Sequence, residues 1–239
     1  MGIALLTFEY PDARPGGVGS YVLRCARSLA AAGHEPHIFT LTLPPDVRAA
    51  VPQGVVVHEV MDIAEQIAAG TLPGALGVAA LNGGLALYKL SVGAMLTNAL
   101  REEHRRQPFD IAEAAEYEAL GLPLILRPIP GLPVVTQIHL CTVVNGWAND
   151  LPDVPTDRLA EGLELAAILG ADGVCAATSS IVEVTRKLLP FKRSVEIISY
   201  PVELGEVITP PPVDGALLFV GRLQKRKGCD VLASAATLF

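Results

Sequence analysis

The chain has 239 residues, 51% apolar and 18% charged, a globular composition that excludes wholesale disorder. The length allows one large domain or two small ones and does not choose between them. A formal net charge of −7 lacks the electrostatic footprint of a general nucleic-acid binder, so no nucleic-acid partner is expected and any anion site has to be local.

The segment from Met1 has no basic flank and its apolar run ends at Glu9, too short for a signal peptide, so it reads as a strand, Ile3–Phe8. A Pro/Gly-rich loop from Pro11 to Gly19 leads into a helix. Its apolar positions Val18, Tyr21, Val22, Cys25 and Leu29 share one face of a 3.6-residue period, and Gly33 supplies the stop. Strands follow at His37–Leu41 and Val55–Val60. The most apolar stretch, Leu72–Leu100, is interrupted by glycines, Asn82 and Lys89, which predicts a buried helix over Leu85–Arg106 rather than a membrane span. Arg101, Arg105 and Arg106 suit the negative end of that helix dipole.

Strand Asp110–Ala114, a helix over Tyr117–Leu126 and strand Pro133–Ile138 come next, then a long irregular loop, Leu140–Pro155. A helix over Thr156–Leu169 takes Thr156 as N-cap and Gly170 as stop. After strand Gly173–Ala177, Ser180 and Glu183 have capping-box spacing at the start of a helix that Pro190 closes, and strand Val195–Ser199 ends the series. Strands separated by helices of this length indicate an α/β fold, a doubly wound Rossmann-like parallel sheet with helices on both faces. Pro201 and the run Pro210–Pro212 then mark a stiff linker. Past it lie a strand, Ala216–Val220, a basic loop and a helix with apolar positions Val231, Leu232, Ala235, Leu238 and Phe239. The expected division is a domain over 1–205, a linker over 206–215 and, at 216–239, the start of a second α/β domain. Cys25, Cys141, Cys175 and Cys229 form no CxxC pair, which fits reduced thiols in a cytoplasmic protein and gives no zinc site.

Four motifs carry chemistry. Gly16-Gly17-Val18-Gly19 between the first strand and helix lets backbone approach a ligand at a helix N-terminus, or is simply a permissive turn; only Gly17 and Gly19 fit the spacing of a dinucleotide fingerprint. Gly221-Arg222-Leu223-Gln224-Lys225-Arg226-Lys227-Gly228 gathers four cations in a chain that is otherwise acidic, either a diphosphate clamp or a solvated basic turn. His139 closes a strand, and ligands of open α/β sheets bind beyond the carboxyl ends of strands. Glu113, Glu116 and Glu118 read as acid/base carboxylates or as an exposed first helical turn. No GxSxG, HExxH or GxxxxGK[ST] motif occurs, and no metal site is expected.

In order, Phe8-Glu9-Tyr10-Pro11, Gly16–Gly19, Leu29–Glu35, Asp110-Ile111, His139, Ile197–Pro201, Gly221-Arg222-Leu223 and Lys227-Gly228 resemble a retaining GT-B glycosyltransferase of family 4, the group-1 class. The resemblance runs the whole chain. It implies two Rossmann-like domains across a cleft, here with the second truncated, and a nucleotide-diphosphate sugar as donor substrate with no further cofactor. Arg222 and Lys227 would hold the donor diphosphate, Gly16 and Gly17 would approach the donor from the opposite wall, and His139 would contact the transferred sugar, all without a metal. The acceptor would be a glycan or lipid-linked precursor, and the apolar helix near Leu85–Leu100 offers a peripheral membrane contact. The family's C-terminal glutamate pair would lie beyond Phe239, so the 239 residues alone are expected to be inactive. Two other readings stay open: an acceptor-binding module without catalysis, and a nucleotide-sugar epimerase using Glu113, Glu116 and His139.

Overall fold

The structure, a computed structural model, describes residues 1–71, 84–202 and 218–237. The strands are β1 (Gly2–Leu6), β2 (Glu35–Leu41), β3 (Val56–Val60), β4 (Ile111–Ala115), β5 (Val134–Ile138), β6 (Gly173–Ala176) and β7 (Glu196–Ile197). All pair in parallel, in the order β3-β2-β1-β4-β5-β6-β7. The helices are α1 (Gly17–Ala31), α2 (Pro45–Ala49), α3 (Ile63–Ala68), α4 (Gly84–Arg106), α5 (Leu122–Leu126), α6 (Thr142–Ala148), α7 (Pro155–Gly170), α8 (Ser179–Leu188) and α9 (Cys229–Ala236), with 3-10 turns at Tyr117–Ala119 and Lys225–Lys227.

Strand parity sorts the core into layers. From β1, Ala4 and Leu6 face a cluster with Phe39, Val92, Leu96, Leu100 and Phe109 under α4, while Ile3 and Leu5 face the α1 side. All five apolar positions predicted for the first helix meet that second layer: Tyr21 and Val22 are buried in it, and Val18, Cys25 and Leu29 pack against it. A third cluster joins β5 and β6 to α6, α7 and α8 through Ile138, Cys141, Val144, Ile168 and Val182. Burial on both faces accounts for the near-continuous apolar strands.

Several expectations are corrected. The loop predicted over Leu140–Pro155 contains α6, whose sequence TVVNGWA is a poor helix former. Glu164 of α7 offsets this by accepting hydrogen bonds from Thr142 N (2.8 Å) and Oγ1 (2.7 Å), a tertiary cap with no local sequence signal. Thr156 lies inside α7, whose N-cap is Val154 with Pro155 opening the helix. Thr178 rather than Ser180 caps α8, accepting from Ile181 N at 3.3 Å. The helix predicted over Tyr117–Leu126 is broken where Ala119 takes φ 54°. Residues 218–220 are not in a strand; the remainder of that predicted strand and the linker at 206–215 lie outside the described residues. Among the described residues no helix is long and apolar enough to cross a membrane, and all four cysteines are free.

Beneath α4, His37 Nδ1 and His58 Nε2 lie 2.8 Å apart on adjacent strands, and the His58 ring stacks on Phe39 at 4.4 Å. Burial holds both imidazoles below their ordinary value of 6.5, with the neighbouring His37 charge also lowering His58. The fold therefore favours the neutral pair, whose contribution is present above the unfolded pKa and is lost as pH falls below it. The stability gap between the wild type and His37→Phe/His58→Phe should shift towards the variant from about pH 7 to about pH 5 in urea titrations. A gap independent of pH would contradict this.

Candidate functional site

Strand order reverses between β1 and β4, and ligands of doubly wound sheets bind at such switch points, beyond the strand carboxyl ends. An open cleft of about 620 Å³ lies there, lined by Glu9, Gly17, Val18, Tyr117, His139, Leu140, Asn145, Tyr200, Gly221, Arg222, Gln224, Arg226 and Lys227. Gly17, His139, Arg222 and Lys227 of the sequence-selected residues are thus brought together, and Gly16 stands behind them.

The two glycines do different things. A Cβ on Gly16 would fall 2.0 Å from the Glu9 carboxylate oxygens, and one on Gly19 would fall 2.7 Å from the Glu9 backbone carbon. Their missing side chains let Glu9 fold against the start of α1, where its Oε2 accepts from Gly19 N at 3.0 Å. A carboxylate placed there answers both the orphan N–H and the helix dipole. Gly17 has open space around its Cβ direction and faces the cleft. Gly16→Ala should therefore cost about 1–2 kcal/mol in urea unfolding by displacing this cap. Gly17→Ala should leave stability within about 0.5 kcal/mol and act on ligand binding instead. Equal destabilisation by both would refute this division.

His139 ends β5. Its Nδ1 lies 2.5 Å from the Tyr200 hydroxyl, and its ring meets the Tyr21 edge at 4.7 Å between centroids. Burial pushes the His139 imidazole down to about 4 and, helped by the Glu116 charge, pushes the Tyr200 phenol up to about 12. The pair is neutral near pH 7. In the tautomer whose Nδ1 accepts from the Tyr200 hydroxyl, Nε2 carries the ring proton and is a donor.

Glu113 and Glu116 do not stand in an exposed first turn; the Glu118 side chain lies outside the described residues. Glu113, on the α1-facing side of β4, accepts from the Tyr21 hydroxyl at 2.9 Å. Glu116 is fully buried and accepts from His139 N (2.8 Å) and Leu140 N (2.6 Å). Burial pushes the Glu116 carboxyl up to about 7, against those backbone N–H groups, which favour its charged form.

The basic loop crosses the end of α6. Lys225 pairs with Asp150, and Arg226 N donates to Asn149 Oδ1 at 3.3 Å. Gly228 takes φ 71° at the start of α9, a left-handed turn suited to glycine. Arg222, Arg226 and Lys227 line the same cleft as His139, a local concentration of cations in a chain of net charge −7. Sequence reasoning gave no site role to Tyr117, Asn145, Gln224 or Lys89. Lys89 is buried on α4 with its Nζ 3.1 Å from the Phe8 ring centroid, and shares a small cavity with Phe8, Glu9 and Tyr117.

A parallel sheet with a cleft at its switch point, lined in part by Arg222, Arg226 and Lys227, is the architecture of a doubly wound α/β protein. Residues 15–206 match Glycosyltransferase Family 4, and the chain belongs to that family. It is 27% identical over 254 residues to the D-inositol 3-phosphate glycosyltransferase of Pseudarthrobacter chlorophenolicus, covering 93% of this chain and 53% of that protein. It is also 27% identical to D-inositol 3-phosphate glycosyltransferase 2 of Catenulispora acidiphila, covering 92% and 52%. The chain thus spans about half the length of the curated relatives it matches. Among solved structures it resembles sucrose-phosphate synthase from Thermosynechococcus elongatus, with a TM-score of 0.57 at 15% identity over 83% of this chain and 47% of that one. It also resembles the catalytic domain of starch synthase IV from Arabidopsis thaliana, bound to ADP and acarbose, with a TM-score of 0.52 at 12% identity over 83% and 51%. The fold is of the GT-B glycosyltransferase type.

Proposed function

We propose that the chain is the acceptor-side part, over 1–205, and the beginning of the donor side, at 216–239, of a retaining glycosyltransferase that uses a nucleoside-diphosphate sugar. The observation that carries this reading is the convergence of Arg222, Arg226 and Lys227 with His139, Tyr200 and Gly17 on one cleft. Guanidinium and ammonium groups suit a diphosphate, and as the sugar–phosphate bond breaks they would meet the negative charge that grows on the departing phosphate. Fixed cations aimed at that charge supply the stabilisation a metal would otherwise give. The neutral His139 ring would donate a hydrogen bond to a hydroxyl of the transferred sugar. On the acceptor side, the named acceptor of the relatives carries a phosphate as well as hydroxyls. That acceptor chemistry, a phosphorylated polyol, is carried to this chain from the relatives and stands beside the glycan or lipid-linked acceptors implied by the resemblance.

The test is a titration of the 15N-labelled chain with UDP, ADP and inorganic pyrophosphate. Amide and ring signals of Gly17, His139, Tyr200, Arg222 and Lys227 should move together with one saturation curve. Movement confined to the basic loop, with His139 and Gly17 unaffected, would contradict a shared site.

A further inference from the structure

The three residues between β5 and α6, His139 to Cys141, and Thr142 at the start of α6 carry the imidazole of the cleft, and strand pairing does not fix them. Two buried carboxylates do. Glu116, at the end of β4, receives His139 N on Oε2 and Leu140 N on Oε1. Glu164, in the middle of α7, receives Thr142 N on Oε2 and Thr142 Oγ1 on Oε1. Both glutamates are fully buried, and Cys141 between their anchor points is fully buried as well.

An apolar residue of similar volume would often serve stability as well as a buried charge, because desolvation offsets much of what the carboxylate gains. The gain specific to a carboxylate is directional: each oxygen accepts one N–H or O–H along a fixed line. We propose that Glu116 and Glu164 are positioning residues, a two-carboxylate clamp that sets the backbone of the His139–Thr142 turn so that the His139 ring meets the cleft in one orientation. Glu116 fixes the His139 backbone while Tyr200 and Tyr21 hold its ring. Displacing the backbone anchor therefore tilts the ring against two neighbours that do not follow. The significance of that orientation for transfer rests on the reading of the cleft given above; the clamp itself does not.

Glu116→Gln keeps volume but turns an amide NH2 towards a backbone N–H, which breaks one of the two bonds. The chain has five histidines, so 15N-histidine labelling resolves the His139 ring against four internal references. In Glu116→Gln the His139 ring signals should shift and broaden or split, while those of His34 and His104 stay in place. In the full reading frame that carries this chain, kcat should fall by about 10–100-fold with the donor KM within about threefold, the pattern of a misplaced group rather than lost binding. A thermal midpoint recorded on the same sample separates misplacement from a smaller folded fraction. If Glu116→Gln fails to fold, Thr142→Val carries the test: it leaves Glu116 in place, removes one bond to Glu164, and should move the His139 signals in the same direction by less. His139 signals that superpose on those of the wild type in the folded variant overturn the clamp. Absence of sugar transfer by the wild type would instead count against the proposed function, and the ring spectrum would still decide the clamp.

Discussion

Arg222→Ala, introduced into the full reading frame that carries this chain, should lower kcat and kcat/KM together by about 10²–10³-fold. Arg222 lines the cleft together with Arg226, Lys227 and His139. Its guanidinium gains most from a phosphate that is acquiring charge, so its removal should be felt in the transition state more than in donor binding. Lys225→Ala is the internal control. Lys225 belongs to the same loop, but it pairs with Asp150 on the surface and does not line the cleft. Loss of an exposed pair is worth about 0–1 kcal/mol, so the control should stay within about fivefold of the wild type. Steady-state kinetics on the two variants check this, and an unchanged kcat in Arg222→Ala would remove that residue from the site.

The largest expected effect on stability is that of Phe39→Ala. Phe39 sits in β2 with no exposed surface, stacked on His58 at 4.4 Å and edge-on to Phe109 at 5.8 Å between centroids. Truncation leaves a cavity between the sheet and α4 where strands hydrogen-bonded on both sides cannot collapse, at a cost of about 3–5 kcal/mol. Because a domain is stable by only about 5–15 kcal/mol, the midpoint of urea unfolding should move strongly, and Phe39→Leu should recover most of the loss. A shift below about 1 kcal/mol for Phe39→Ala would show that the surroundings relax into the space left by the ring.

The sheet was legible because each strand is a short apolar run and α1 keeps an apolar face at 3.6-residue spacing. Both signals are local. What escaped depends on contacts distant in sequence. Helix α6 reads as a loop until Glu164, 22 residues on, caps it. Glu116 looks like surface charge until β5 brings the N–H groups of His139 and Leu140 to it. Gly16 was read as room for a ligand, whereas the space it leaves is filled by the protein's own Glu9 carboxylate, and Gly17 is the glycine open to the cleft. Tyr200 stood in the sequence as part of the run before the linker; its position against His139 follows from β7 pairing at the edge of the sheet beside β6.

The most direct measurement of the central claim is the anomeric configuration of the product. The full reading frame should be incubated with a panel of nucleoside-diphosphate sugars and a phosphorylated polyol, with nucleoside diphosphate release followed by 31P NMR and the new glycosidic linkage by 1H NMR. The expected result is release that depends on the acceptor, a product with the same anomeric configuration as the donor, and loss of both signals in Arg222→Ala. Release of nucleoside diphosphate from none of the donors, or a product of inverted configuration, would contradict the account.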